Sequence, residues 1–332
     1  MQATIQDIAK RVGVSKKTVS VALNNKPGVS EKTRKAILKA AEELNYIPNV
    51  IAKSLSIKST RTLGVLIPNL WNNYFSEIIR GIEKSSSKNN YNILLGVSNE
   101  DSDFEYKIIK MLIGKRVDGL LISPIQKNVK YIKILKNNEI PFILLNYRPD
   151  LPNYSYIVND NVYGGFLAAD YLIKKGYRKI YCIFPDTQQP SFMERIEGCK
   201  KAFEKNNIPL SNLKLLICER KLSSFYDVTK KNVHSSEEKI GLFVWNDQTT
   251  ISVYKAIIDM GLNIPKNVGV VGYDDIEFSK FFLPKALTTI RNQGYEMGVK
   301  ATEILLKKIK SKKSSEIDEV ILKPILIVRD SA

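Results

Sequence analysis

The sequence predicts an N-terminal all-α helix-turn-helix domain followed by an α/β region of two doubly wound parallel-sheet subdomains. Three observations support this. Residues 4–24 place apolar side chains at helical spacing on both sides of a glycine. From residue 62 onward, short apolar runs alternate with longer amphipathic stretches, which implies right-handed crossovers and a mostly parallel sheet covered on both faces. The 271 residues after Arg61 are long for one such sheet, so two are expected.

The first helix follows from Ile5, Ile8, Ala9 and Val12, which share one face. Gly13 ends it, because glycine takes positive φ without steric cost. Ser15 stands where a helix N-cap is wanted, its hydroxyl free to accept an orphan backbone N–H. The second helix has Val19, Ala22 and Leu23 on its apolar face and Lys16, Lys17, Ser20, Val21 and Asn24 on the other. Two short helices joined through a glycine turn, the second basic at its start, match the geometry that enters a DNA major groove. A surface hairpin without a ligand explains the apolar spacing, but not Val21 between Lys17 and Asn24; a thymine methyl offers such a residue an apolar contact. A third helix starts after Ser30, with Glu31 in its first turn. It carries Ala36, Ile37, Ala40, Ala41 and Leu44 as an apolar stripe and ends at Asn45 and Pro48.

These residues resemble the N-terminus of the lactose-repressor/purine-repressor family of bacterial transcription regulators. That family runs Thr-Ile-x-Asp-Ile/Val-Ala, then Ala-Gly-Val-Ser, two variable residues, Thr-Val-Ser, a base-reading residue and a final Asn. Thr4, Ile5, Asp7, Ile8, Ala9, Gly13, Val14, Ser15, Thr18, Val19, Ser20 and Asn24 keep the pattern, with Lys16 and Lys17 at the variable positions. Val12 replaces the common Ala, and Val21 stands where many members carry Arg or His, so a polar base contact is missing. The resemblance implies operator contacts from Thr4, Ser15, Lys16, Lys17, Thr18, Ser20, Val21 and Asn24. In residues 49–57, Ile51, Ala52 and Leu55 would share a helical face, but a lone helix in water needs about 12–15 residues. Lys58–Arg61 reads as a plain linker. Asn49, Ala52 and Leu55, with Ser56, match the family's hinge helix, which folds on DNA beside its symmetry mate; Leu55 is implied to wedge into a minor-groove base step.

Charge distribution agrees. The formal net charge is +17, and residues 1–61 carry 12 Lys and Arg against 4 Asp and Glu while the rest carries 39 against 30. Positive charge is thus densest where phosphate binding is expected. No run of roughly 18 apolar residues is present, so no membrane span is expected. The N-terminus lacks a secretory pattern, which points to a cytoplasmic, nucleoid-associated protein. Cys182, Cys199 and Cys218 lie in apolar contexts without metal-type spacing and read as buried, reduced thiols. Gly269–Gly272 form no dinucleotide fingerprint, no Walker loop occurs, and His234, the only histidine, has no Ser or Cys setting suited to catalysis. Neither an enzyme nor a metal or other cofactor is expected.

Strands are expected at Leu63–Ile67, Asn92–Val97, Val117–Ile122, Phe142–Leu145, Lys179–Phe184, Gly241–Trp245 and Val268–Gly272. Helices are expected around Phe75–Lys88, Glu105–Lys115, Tyr163–Lys175, Phe192–Asn206, Thr249–Met260 and Tyr295–Lys310. The family's effector region resembles periplasmic sugar-binding proteins, with two α/β subdomains joined by three chain crossings. On this chain it implies a helix-turn-helix domain over residues 1–48, a hinge and linker over 49–61 and an effector-binding and dimerisation domain over 62–332. The last divides into 62–160 plus 292–321 and 161–291 plus 322–332, with crossings near Asp160, Arg291 and Leu322.

In doubly wound sheets, ligands sit beyond the carboxyl ends of the strands. Pro68–Phe75, Asn146 and Tyr147, Asn246 and Asp247, and Tyr273–Asp275 fall there. Aromatics beside short amides and carboxylates suit a sugar or a nucleobase. Asp247 and Asp275 read better as helix caps than as ligand contacts. Trp71 and Phe75 fit core or dimer packing as well as a ligand, and Arg195 fits an exposed helix charge. The resemblance implies sugar-hydroxyl contacts from Arg195, Asn246 and Asp274, and pocket positions for Tyr74 and Phe75. With Trp71, Asn146, Tyr147 and Asp160 these make the expected effector set. Purine-responsive members carry Arg at the position of Gln189, which weakens a nucleobase ligand. The chain stops soon after Pro324–Arg329, without the leucine-rich C-terminal helix of tetrameric members, so a homodimer is expected. The resulting reading is a homodimeric repressor that binds pseudo-palindromic double-stranded operator DNA and answers to a sugar or sugar derivative. Two rivals stand beside it: a member controlled by a phosphoprotein partner, and a soluble sugar-binding receptor without DNA function.

Overall fold

The computed structural model describes residues 3–47, 59–125, 131–149, 153–186, 189–234, 239–281, 284–311 and 317–332. The expected hinge residues Asn49, Ala52, Leu55 and Ser56 lie outside the described residues. The chain divides into two compact units, Met1–Thr60 and Arg61–Ala332.

The first unit packs three helices, α1 (Ile5–Val12), α2 (Lys16–Leu23) and α3 (Glu31–Glu43). Each begins at a side-chain cap. Thr4 Oγ1 accepts from Asp7 N at 3.4 Å while Asp7 Oδ2 accepts from Thr4 N at 2.9 Å, a reciprocal capping box. Ser15 Oγ accepts from Thr18 N at 3.1 Å, and Ser30 Oγ accepts from Thr33 N at 3.2 Å. Gly13 closes α1 at φ 72°, in the left-handed region. Ile8, Ala9, Val19, Ala22, Ile37, Ala40 and Ala41 are buried together. Polar ties supplement this small core: Arg34 donates to Ala22 O at 2.8 Å and to Lys26 O at 2.6 Å, so α3 holds the end of α2.

The second unit contains two six-stranded sheets. The first comprises β1 (Thr62–Ile67), β2 (Asn92–Val97), β3 (Gly119–Ile122), β4 (Phe142–Leu145), β5 (Tyr156–Asn159) and β11 (Glu319–Leu322). Its order is β11-β5-β4-β3-β1-β2, with every pair parallel. The second comprises β6 (Lys179–Pro185), β7 (Leu213–Cys218), β8 (Ile240–Val244), β9 (Val268–Tyr273), β10 (Thr288–Arg291) and β12 (Ile325–Ile327), in the order β12-β10-β9-β8-β6-β7. Only β12 is antiparallel to its neighbour. Helices α4 (Asn73–Lys88), α5 (Ser102–Gly114), α6 (Ile132–Asn137) and α11 (Gly294–Ser311) accompany the first sheet. Helices α7 (Asn161–Lys174), α8 (Pro190–Lys205), α9 (Leu222–Asn232) and α10 (Asp247–Asp259) accompany the second. β8 and β9 are buried along their whole length, as expected of strands covered on both faces.

The seven expected strands and six expected helices of this unit are present. The apolar pattern does not reveal β5, β7, β10, β11, β12, α6 or α9. Four of those strands have only three or four residues, and β7 is an edge strand whose Lys214, Leu215 and Ile217 are exposed. The chain passes between the two sheets after β5 at Asp160, after β10 at Asn292–Gln293, and between β11 and β12 at Lys323–Pro324.

Helices α7 and α8 touch backbone to backbone. A Cβ on Gly165 would overlap the Arg195 carbonyl, and a Cβ on Gly198 would overlap the Val162 carbonyl. Cys182 and Cys199 are buried free thiols with sulfurs 3.8 Å apart. Cys218 is half-buried, and burial pushes its thiol up to about 11. Among the described residues, no helix is long and apolar enough to cross a membrane.

Candidate DNA face and effector pocket

On the first unit, α2 exposes Lys16 and Lys17 at its start, and Asn24 caps its end. Several expected contact residues also hold the helices in place. The Ser15 and Thr18 hydroxyls lie 2.8 Å apart, the Thr4 hydroxyl donates to Asp7 Oδ2 at 2.7 Å, and Asn24 Nδ2 donates to Ser20 O at 2.8 Å. These bonds from Thr4 hold the Asp7 carboxyl below the usual carboxylate range. Val21 and Ser20 are half-buried rather than fully exposed.

On the second unit, a cavity of about 690 Å³ opens at the carboxyl ends of strands from both sheets. The first sheet contributes Asn69 and Asn72 after β1, Glu100 after β2, Ser123 after β3, and Asn146 and Tyr147 after β4. The second contributes Arg220 after β7, Trp245 and Asn246 after β8, Asp274 after β9, and Asn292 after β10.

Arg195 is fixed by α8. It is 8% exposed, which removes the alternative of a surface helix charge. Its NH1 donates to Trp245 O at 2.9 Å and its Nε to Asn161 Oδ1 at 3.3 Å. The guanidinium carbon lies 3.5 Å over the Tyr273 ring. Asp274 sits at φ 104°, a conformation costly for a residue with a side chain. Its Oδ1 accepts from Asn292 Nδ2 at 2.8 Å. Burial pushes its carboxyl up to about 6, and Arg195 and the Asn292 hydrogen bond pull the other way.

A second network runs along the first-sheet side. The Tyr74 hydroxyl donates to Asn146 Oδ1 and accepts from Asn159 Nδ2 at 2.7 Å. Asn159 Oδ1 in turn accepts from Gln293 N at 3.1 Å. The cavity is thereby hydrogen-bonded to the first and second chain crossings. Burial raises the Tyr74 phenol far above its ordinary value, so it remains a neutral donor. Asn146 lies at φ 56°, and its Nδ2 is buried without a partner; so is Oδ1 of Asn292.

Residues 4–49 match the family described as bacterial regulatory proteins, lacI family, and residues 169–332 match the periplasmic binding protein-like domain. A transcriptional repressor PurR of Aliivibrio salmonicida (strain LFI1238) is 34% identical over 311 residues, 93% of either chain. A PurR of Vibrio vulnificus (strain CMCP6) is 34% identical over 336 residues, 99% of this chain and 98% of its own. The chain belongs to the LacI family. Among solved structures, a LacI family regulator from Enterococcus faecium with bound ribose is 29% identical, with a TM-score of 0.73 over 82% of this chain and 98% of its own. The Lac repressor bound to ONPG in its repressed state is 25% identical, with a TM-score of 0.87 over 100% of both chains. This chain is therefore a DNA-binding transcriptional regulator with the LacI-family fold.

Within this LacI-family cavity, seven members of the expected effector set come together: Tyr74, Phe75, Asn146, Tyr147, Arg195, Asn246 and Asp274. Two members of the set lie elsewhere. Asp160 does not line the cavity; its Oδ1 accepts from Tyr163 N at 2.8 Å, so it caps α7 at the first crossing. Trp71 does not line it either, and its ring packs on the Arg220 guanidinium at 4.9 Å. The expectation that Asp247 and Asp275 cap helices is also corrected. Asn246 caps α10, accepting from Thr249 N at 2.9 Å. Asp247 is fully buried and accepts from Ser279 Oγ at 2.5 Å, Thr289 Oγ1 at 2.6 Å and Ile276 N at 3.1 Å. Asp275 pairs with Arg291 at 2.7 Å and with Arg329 at 2.5 Å. Sequence reasoning missed Glu100, Arg220, Trp245 and Asn292. Arg220 and Asn292 follow β7 and β10, the strands whose pattern is weakest, so the rule of looking just past each strand had nothing to start from.

Proposed function

We infer that this regulator is a repressor whose grip on operator DNA is set by a neutral carbohydrate bound between the two α/β subdomains. The charge balance of the cavity carries this reading. Both cations among the described lining residues have a carboxylate at hand: Asp274 acts on Arg195, and Glu100 pairs with Arg220. A phosphate would leave that balance broken. The remaining polar lining is dominated by Asn69, Asn72, Asn146, Asn159, Asn161, Asn246 and Asn292, which offer neutral donors and acceptors. The unpaired Asn146 donor and Asn292 acceptor suit hydroxyls, which both donate and accept. The ribose-bound relative supports a sugar, and Gln189 puts no cation on the wall.

For DNA, the recognition face is α2 with Lys16, Lys17, Thr18, Ser20, Val21 and Asn24, supported by Thr4 and Ser15, and the hinge contacts are Asn49, Ala52, Leu55 and Ser56. Residues 1–48, 49–61 and 62–332 serve as reading head, hinge and sensor. The protein acts in the cytoplasm as a homodimer. Leu222, Ile251, Phe278 and Phe281 are all at least half exposed around α9, the start of α10 and the turn held by Asp247, and a second copy would cover them. Two-fold pairing sets two copies of α2 on a pseudo-palindromic operator.

The test combines a thermal-shift screen of free sugars and sugar phosphates with fluorescence anisotropy on duplex operator DNA. A free sugar at 100 times its Kd should raise stability by about 2.7 kcal/mol and change DNA affinity in the purified protein alone. A response confined to phosphorylated sugars, or one that needs a phosphoprotein partner, would overturn the neutral-carbohydrate reading.

A further inference from the structure

We propose that the amino edge of the first sheet, where its strands begin, carries a second and sequence-independent DNA contact: Lys88, Lys307 and Lys310 surround an open hollow that seats backbone phosphates of the duplex beyond the recognised operator bases. This rests on DNA binding and not on the carbohydrate reading above. The hollow has a volume of about 590 Å³ and is lined by the ends of α4 and α11. The two helices run side by side in one direction. A Cβ on Gly294 would meet the Tyr74 ring, and one on Gly298, a turn later, would overlap the Ile78 carbonyl. Their carboxyl ends therefore lie together. A Cβ on Gly119, the first residue of β3, would meet Leu305 and Ile309, so the end of α11 lies over the start of that strand. The effector cavity is at the opposite edge, beyond the carboxyl ends of the strands.

The charge of the hollow identifies its occupant. Lys88, Lys307 and Lys310 are exposed and face a single carboxylate, Glu303, among the described lining residues. Among the described residues, Lys88 and Lys310 have no carboxylate within ion-pair distance. Two neighbouring carboxylates are already engaged: Asp318 pairs with the buried Lys308 at 3.0 Å, and Asp118 accepts from Arg61 N at 3.1 Å. A cation in a last turn offsets the negative end of its helix, but that role does not require three to converge on one hollow. The effector cavity differs, since each of its cations has a carboxylate at hand. Chain connectivity points the hollow toward DNA. The second unit begins at Arg61, whose carbonyl accepts from Asn92 N at 2.9 Å. Its guanidinium lies 5.1 Å over the ring of Tyr91, which follows Asn89 of the hollow by two positions. The chain thus enters beside the hollow. Residues 49–60 span at most about 40 Å even when fully extended. Operator binding therefore brings a duplex carrying one charge per roughly 1.7 Å of its axis within reach. The tether makes each phosphate contact an intramolecular one, so a weak site is occupied.

The experiment uses the full chain and a duplex that it selects from random-sequence DNA, prepared as the selected bases alone and with about 15 further base pairs on each side. Fluorescence anisotropy between about 50 and 200 mM KCl gives the slope of log affinity against log salt. The wild-type slope should be steeper on the long duplex, by about 0.9 for each added phosphate contact. Lys88→Ala, Lys307→Ala and Lys310→Ala combined should remove that difference. The three Lys→Arg changes combined should keep it, because a phosphate accepts from a guanidinium as well as from an ammonium. Lys16→Ala with Lys17→Ala should weaken binding to both duplexes and leave the difference intact, which separates the hollow from the recognition helix. Equal wild-type slopes on the two duplexes, or a difference that survives the triple Ala variant, overturn the proposal. So does a triple Ala variant that weakens binding to both duplexes alike.

Discussion

We propose that effector recognition turns on Asp274 and Arg195. A buried carboxyl at a strained backbone position costs stability, which is the usual mark of a functional site. Asp274→Asn and Arg195→Ala should abolish the effect of the sugar on operator affinity while DNA binding without ligand persists. Operator titrations with and without ligand check this; a full response in both variants would mean the pocket is misassigned. Asp247 gives a separate prediction. Burial pushes its carboxyl up to about 8, while the Ser279 and Thr289 hydrogen bonds pull it down. Because the value is raised on folding, protonation favours the fold: the contribution is full below about pH 4 and is lost as pH rises through about 8. Thermal melts between those limits should show a fall in stability with rising pH that is smaller in Asp247→Asn, and parallel curves for the two proteins would refute it. The titratable residues were legible in the sequence, but their roles were not. Asp247 and Asp275 sit where caps are expected, and only their distant partners Ser279, Thr289, Arg291 and Arg329 show what they do.

At the scale of elements, α2 is set by local chemistry. The Ser15 cap and the Gly13 turn start α2, and its Val19–Ala22 face, buried in the three-helix core, turns Lys16 and Lys17 outward. At least one of Lys16→Ala and Lys17→Ala should relax operator specificity at one position in both half-sites, by about 1–3 kcal/mol if it reads guanine. Binding weakened equally across all sequences would instead assign both to phosphates. The α7–α8 crossing is the opposite case. Gly165 meets the backbone of Arg195 itself, so a methyl there pushes α8 away from α7 and shifts the guanidinium. Gly165→Ala should cost about 1–3 kcal/mol in urea unfolding, as overpacked sites do, and should also weaken the sugar response. Stability and response both at wild-type levels would show that the helices can separate freely. Neither glycine reads as a contact in the sequence, where Gly165 and Gly198 are simply unfavourable residues inside helices.

For the whole molecule, regulation requires that occupancy of the cavity change how the two subdomains sit. The bonds from Asn146 through Tyr74 and Asn159 to Gln293 link the pocket to two of the three crossings. Assembly is the other global property. Ile251 is 50% exposed and Phe281 is 73% exposed, so a charge at either should not disturb the fold. Ile251→Asp combined with Phe281→Asp should convert a dimer to a monomer in sedimentation and weaken operator binding steeply, because one reading head then grips one half-site. A double variant that remains dimeric would place the interface on another face.

The sequence by itself determined the helix-turn-helix, the alternation that builds two parallel sheets, and the residues standing just past the strongest strands. Each depends on near neighbours: a cap three residues from its donor, an apolar period, a turn glycine. Tertiary structure alone decided that Trp71 packs on Arg220 and that Glu100 and Arg220 meet from strands of different sheets. Those outcomes depend on groups more than 100 residues apart, as Glu100 and Arg220 are, being brought within bonding distance by packing. No local periodicity encodes such a meeting, because it exists only once the buried faces of both sheets have chosen their partners.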